Sequence, residues 1–227
     1  MPADGSVGLI HMTNAYGAGL ADSFADDFTN SSGNTLCTRI GYEEIMTDFS
    51  AAVQSMIDNG CTSAVLVSYA ADGGMIIDEM ASLGWSGQVY GGDGIAEEGL
   101  ATEATSSVNG VIATKPASSS MGAVGYAFAA LCAQSAECTG GIYTAEAFDG
   151  VVLVALAAFA QMASPGATLS QVMMATGQGL AGASGDISFM ANGDVPGAGY
   201  CVGDFTEDAD GVSFDCNRSW DPANGMS

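Results

Sequence analysis

Between residues 6 and 114 one unit recurs: a short apolar run rich in β-branched residues, then a stretch whose apolar residues return at helical spacing. Strands are expected near 7–12, 35–40, 63–68, 87–91 and 108–114, and helices near 17–29, 48–58, 73–83 and 95–101. Phe49, Val53, Met56 and Ile57 lie on one helical face, and Asn59-Gly60 closes that helix as a left-handed cap does. Met75, Ile76, Met80 and Leu83 form a second such face that stops at Gly84, with the methionines read as core filler. A β-α-β-α series of this kind dictates the α/β class, with a mostly parallel sheet and right-handed crossovers.

The pattern breaks at Lys115-Pro116. Residues 117–122 are small and polar, as a crossover segment is, and helices follow near 122–135, 144–163 and 168–176 with no strand between them. Residues 186–216 then read as β, with Ile187-Ser188-Phe189, a turn at Asn192-Gly193-Asp194, and strands around 200–205 and 212–215. From Asn217 the tail reads as irregular. The organisation expected is 1–115 as a β-α-β lobe, 116–185 as a helical segment and 186–227 as a hairpin region and tail.

Where strands give way to helices, three segments carry chemistry: Asn14 to Gly19, Val67 to Asp72 and Gly91 to Gly94. Small ligands of open α/β sheets bind outside the carboxyl ends of the strands, so Tyr16, Tyr69 and Asp93 are candidate ligand-binding residues. A carboxylate about 4 Å from an ammonium gains on the order of 4 kcal/mol at an effective dielectric near 20, enough to orient a zwitterion. The tyrosines offer a ring to an aliphatic chain and a hydroxyl to a polar atom. Asp72, one turn further along its helix, is expected to face solvent.

Charge restricts the partners. With 26 acidic residues against Arg39, Lys115 and Arg218, the formal charge is -23, which excludes a basic face for nucleic acid or anionic lipid. Such self-repulsion is best tolerated at high ionic strength, and a saline habitat is expected. The longest strongly apolar run, Val151 to Ala160, is too short to span a bilayer, so no membrane insertion is expected. Residues 1–10 lack the charged and apolar regions of a signal peptide.

Six cysteines allow fifteen pairings. Position favours one: Cys132 with Cys138 around a helix end, Cys201 with Cys216 on two strands joined by a turn, and Cys37 with Cys61 near the starts of successive strands. Six reduced, buried thiols are the alternative. Zinc is not supported, since no C-x2-C spacing occurs and His11 is far from every pair. His11 reads as a structural residue at a strand end. Gly17-Ala18-Gly19 fails as a dinucleotide fingerprint because Asp22 stands where the third glycine is needed, and no cofactor or resident metal is expected. The acidic run 207–211 lacks calcium-loop spacing and reads as a hairpin turn. The sequence carries neither a P-loop nor the motifs G-x-S-x-G and H-E-x-x-H, so no enzymatic activity is expected; a flavodoxin-like enzyme would declare itself by a bound cofactor.

Taken in order, Tyr16-Gly17-Ala18-Gly19, Ser68-Tyr69, Gly91-Gly92-Asp93-Gly94, Val108-Asn109-Gly110-Val111-Ile112-Ala113-Thr114-Lys115-Pro116, Ala147-Phe148-Asp149-Gly150-Val151 and Ile187 to Val195 resemble the type I periplasmic binding proteins, in particular the leucine/isoleucine/valine-binding receptors of ABC transporters. The resemblance covers about residues 6 to 216 and implies a flavodoxin-like lobe that closes with a second lobe on an amino acid or amide. It implies an ABC permease and ATPase as partners and a periplasmic or extracytoplasmic location. By the same resemblance Tyr16 and Tyr69 face the cleft, Asp93 holds the ligand's α-ammonium, and Tyr143 touches the ligand side chain. The family's first lobe has no counterpart in this sequence. On that reading the chain begins at the second lobe, residues 116–185 belong to the first, and a signal peptide lies upstream of Met1. A ligand-sensing domain of a receptor or regulator with the same fold is the alternative.

Overall fold

Buried strands set the architecture. β1 (Val7–Met12) and β3 (Ser63–Val67) are buried along their whole length, as strands covered on both faces must be. The computed structural model describes residues 6–32, 34–117, 122–135, 138, 142–195, 199–209, 211–221 and 224–227. Two compact units divide the chain: residues 1–115, 201–220 and 226–227 form the first, and 116–200 with 221–225 form the second.

In the first unit, β1 is followed by α1 (Ala15–Ser32), β2 (Leu36–Tyr42), α2 (Ser50–Asp58), β3 and α3 (Ala70–Ser82). Next come β4 (Gln88–Gly91), a 3-10 turn (Asp93–Ile95), α4 (Gly99–Glu103) and β5 (Ile112–Pro116). β1 pairs in parallel with β2 and β3, β3 with β4, and β4 with β5, so the parallel sheet expected from the β-α-β series is the one found. Alternate residues of β1 serve opposite faces. Val7 and Leu9 pack with Ala21 and Phe28 of α1, whereas Ile10 and Met12 meet Val53 and Met56 of α2, Ile76 and Met80 of α3, and Leu100 of α4. Each such side chain contributes about 1.5–3 kcal/mol by leaving water. Gly8 is needed for the close approach of α2, since a Cβ there would stand 2.6 Å from Met56 Cγ.

Several boundaries differ from expectation, among them β5, which starts at Ile112 and not near 108. β2 continues to Tyr42, and the helix expected at 95–101 is divided into the 3-10 turn and the short α4. The sheet also extends past β5 through β8 (Tyr200–Asp208), β9 (Gly211–Asp221) and β10 (Gly225–Met226), in the order β10-β9-β8-β5-β4-β3-β1-β2. The tail expected to be irregular from Asn217 is therefore strand. The alternation Val212, Phe214, Cys216 packs its first two residues on the core and then breaks at Arg218, where the strand runs on exposed, so the sequence signal stops before the strand does. Backbone bonds hold it instead, among them Ser219 and Ser227 donating to each other's carbonyls at 3.0 and 2.8 Å.

The second unit contains α5 (Ala123–Cys132), α6 (Thr144–Gln161), α7 (Leu169–Gly177) and an antiparallel pair, β6 (Leu180–Ala181) with β7 (Asp186–Ile187). A capping box at Thr168 and Gln171 starts α7. The expected crossover at 117–122 lies mostly outside the described residues. α6 corrects the reading of its apolar run. The helix adds Thr144 to Gly150 and Gln161 to that run and, at 18 residues and mean hydropathy 1.4, is long and apolar enough to cross a bilayer, with 17% of it buried. Glu146 and Asp149 interrupt the run in sequence. Asp149, 5% exposed, is accommodated because its carboxylate accepts Ala183 N–H at 2.6 Å, Ser184 N–H at 2.7 Å and the Ser184 hydroxyl at 2.6 Å.

All six cysteines are bridged as position favoured: Cys37 to Cys61, Cys132 to Cys138 and Cys201 to Cys216. Among the described residues no group of three or more His, Cys, Asp or Glu side chains is arranged to hold a metal ion.

Candidate functional site

At the carboxyl end of β1, Asn14 caps α1 by accepting Gly17 N–H at 2.8 Å. That fixes Tyr16 in the first turn. Gly17 has no room for a side chain, since a Cβ would run into the Met12 carbonyl, and the glycine lets α1 pack onto β1. Tyr69 sits at the end of β3 as the N-cap of α3, with extended backbone at φ -94 and ψ 174. Asp93 opens the 3-10 turn after β4.

These three residues converge. Tyr16 donates its hydroxyl to Asp93 Oδ1 at 2.9 Å and accepts Gly94 N–H at 3.2 Å. The Tyr16 ring stacks on Tyr69, with centroids 5.2 Å apart and planes at 16°. Gly94 is required here, because a Cβ would strike the Ser68 carbonyl and stand 2.9 Å from the Tyr16 hydroxyl. Burial first, then the negative charge of Asp93, push the Tyr16 phenol far above its ordinary value, so it stays a donor at physiological pH.

Beside this group lies a second one. Tyr42, 2% exposed, donates its hydroxyl to Asp72 Oδ2. The expectation that Asp72 faces solvent is corrected: it is half-buried at the first turn of α3 and held by a phenol from β2. Burial and then the bond to Asp72 raise the Tyr42 phenol far above the ordinary range, with the Ser68 hydroxyl opposing and Tyr16 near enough to add to the rise. Ser68 itself is 1% exposed, and its Oγ completes no hydrogen bond of good geometry.

Tyr143 belongs to the second unit, where it precedes α6 in left-handed backbone at φ 63; the first unit assembles Tyr16, Tyr69 and Asp93 without it. His11 is structural, bonded through Nδ1 to the Met12 carbonyl at 2.8 Å and through Nε2 to Arg39 at 3.2 Å. The three basic side chains are engaged elsewhere: Arg39 with Asp22, Arg218 with Asp204, and Lys115 over the Phe214 ring. An apolar groove of 480 Å³ runs along the α1 face of the sheet, lined by Leu20, Phe24, Val65, Tyr90, Ile112 and Met226 among others, and the Tyr16–Asp93 group is not part of its wall.

The parallel-sheet fold that carries this strand-end group is similar to that of type I periplasmic binding proteins. A leucine-binding protein from Thermotoga maritima superposes with TM-score 0.75 at 19% identity, covering 93% of this chain and 60% of that one. An ABC-transporter solute-binding protein from R. palustris, solved with 4-hydroxybenzoate, gives TM-score 0.73 at 14% identity and covers 96% and 61%. Within that fold the sequence is similar to the leucine-type group: a Leu/Ile/Val-binding protein homolog 2 of Brucella abortus (strain 2308) is 33% identical over 115 residues, which is 49% of this chain and 30% of that protein. No protein-family model matches the chain.

Proposed function

We propose that this chain carries ligand-binding machinery of the solute-binding receptor of an ABC importer, taking a branched-chain amino acid or a related amino acid or amide by closure of two lobes, without catalysis. The observation that carries the reading is the hydrogen-bonded pair Tyr16–Asp93 with Tyr69 stacked on it, at the carboxyl ends of β1, β3 and β4. Asp93 is assigned the ligand's α-ammonium, Tyr16 its orientation, and Tyr69 and Tyr143 the ligand side chain. Residues 1–115 are read as one lobe and 116–185 as a segment of the other. The permease and ATPase are the implied partners, and the likeness to ABC-transporter receptors supports an extracytoplasmic location.

Titration of leucine into the ¹⁵N-labelled 227-residue chain tests this. The amides of Tyr16, Tyr69 and Gly94 are expected to shift with an affinity of about millimolar, because the site offers carboxylates and phenols and no basic side chain for the α-carboxylate. Asp93→Asn is expected to weaken that binding about tenfold. Equal binding by the variant removes the ammonium assignment.

A further inference from the structure

We propose that the exposed stripe of α6 is the interface of a twofold-symmetric dimer, in which α6 of a second copy of this chain packs antiparallel against it. The helix uses its faces unequally. Asp149, Leu153 and Ala157 are buried in the second unit, and Asp149 is tied there by Ala183 and Ser184, so α6 is not free on all sides as a lipid-embedded span is. The opposite stripe is open: Phe148 is 37% exposed, Val151 72%, Phe159 76% and Met162 79%, with exposed Ala155 among them. Positions 148, 151, 155, 159 and 162 lie on one helical face.

Two observations favour a second copy as the occupant. The stripe is complementary to itself. Phe148 and Met162 stand seven residues either side of Ala155, and Val151 and Phe159 four either side. A twofold axis at Ala155 therefore sets Phe148 against the partner's Met162, Val151 against the partner's Phe159, and Ala155 against the partner's Ala155. The small central side chain lets the helices approach to about 8 Å, and the large ones fill the space on either side, over a seam of roughly 21 Å at about 1.5 Å per residue. Charge gives the second observation. All 26 acidic and three basic side chains lie outside residues 150–185, so two copies that repel each other elsewhere can meet here without burying a charge. With Val154 and Leu156 exposed at its flanks, the stripe offers on the order of 700 Å² per copy, and the pair clears the roughly 1,000 Å² that a specific interface needs.

Sedimentation equilibrium of the 227-residue chain tests this in low-salt buffer and in about 1 M potassium chloride. A dimer with Kd of about 10 μM is expected at high salt, about threefold or more weaker at low salt, where the two acidic surfaces are not screened. Phe159→Glu, at a position 76% exposed, is expected to weaken dimerisation about tenfold or more while the helical circular dichroism stays unchanged. Ala155→Cys is expected to form a disulfide with its own copy under mild oxidation, because the twofold axis brings the two Cα atoms within the roughly 4.4–6.8 Å that a disulfide spans. Glu146→Cys, on the same helix but off the stripe, is expected not to, and this pair carries the test should Phe159→Glu fail to fold. A chain that stays monomeric at about 200 μM in both salts, twentyfold above that Kd, overturns the proposal. So does a dimer that survives Phe159→Glu, or cross-linking of Ala155→Cys no faster than that of Glu146→Cys. Binding to phosphatidylcholine vesicles in place of self-association also overturns it and assigns the stripe to a bilayer. The leucine titration reads Tyr16, Tyr69 and Gly94 of the first unit, so the receptor reading and the dimer can each fail without the other.

Discussion

Asp149→Ala is expected to be the most destabilising single change in the second unit. Its carboxylate accepts three short hydrogen bonds, from Ala183 N–H at 2.6 Å, Ser184 N–H at 2.7 Å and the Ser184 hydroxyl at 2.6 Å, while 5% of the residue is exposed. Bonds to a charged acceptor contribute about 1.5–3 kcal/mol each, and they are not additive when they share one acceptor. Truncation also leaves the buried Ala183 N–H without its acceptor, so a loss of about 3–5 kcal/mol is expected. At about 2–4 °C per kcal/mol for a chain of this length, the transition of this unit falls by about 10 °C. Asp149→Asn keeps one acceptor but turns an NH2 toward the donors, and is expected to lie between. Gly182→Ala provides the control: a Cβ there would collide with the Asp149 carboxylate. The double variant Asp149→Ala/Gly182→Ala is therefore expected to cost less than the sum of the two single changes. Calorimetry with circular dichroism at the helical band measures the four variants against the parent. A loss below about 1 kcal/mol in Asp149→Ala refutes the assignment of the carboxylate as the tie between α6 and the β6–β7 turn.

Stability is expected to rise with salt, since a formal charge of -23 is compressed on folding; thermal melts from low to molar potassium chloride check it, and a melting temperature that does not move counts against a saline origin. At alkaline pH the two buried phenols set the sign. Tyr42 and Tyr16 hold folded-state pKa values above the ordinary 10.0, so the unfolded chain ionises first, and their contribution is complete below pH 10 and is lost as pH rises past it. Urea denaturation at pH 8 and above pH 10 is expected to show that loss, with a shallower fall in Tyr42→Phe; identical slopes for parent and variant would mean that Tyr42 ionises freely in the fold.

Tyr16, Tyr69 and Asp93 were legible because each is marked locally, by a strand running into a helix or a glycine-rich turn, and the parallel sheet then places all such breaks on one edge. Tyr42 and Asp72 carried no such mark. Ile40-Gly41-Tyr42-Glu43-Glu44 ends β2 without a glycine-rich turn, and the Tyr42–Asp72 bond joins residues 30 apart. What brings them together is sheet order, β2 and β3 flanking β1, which propensity does not encode. The disulfides were legible because each bridge is local or joins strand starts. α6 was under-read because a count of consecutive apolar residues stops at Asp149, whereas the fold satisfies that carboxylate with hydrogen bonds from a turn 34 residues away.

The acidic residues of this chain are of two physical kinds. Most lie on exposed positions, where their effect is collective and declines with salt. Asp93 and Asp72 are half-buried and each receives a phenol, and Asp72 stands in the first turn of α3, whose free N–H groups favour negative charge. Neutral donors and helix ends lower the cost of placing charge at the strand ends without cancelling it. An arginine or lysine there would cancel it, and the fold keeps its three basic side chains elsewhere. Salt therefore separates the two kinds: it weakens the general field of the protein far more than the short-range interactions of the half-buried carboxylates at the strand ends.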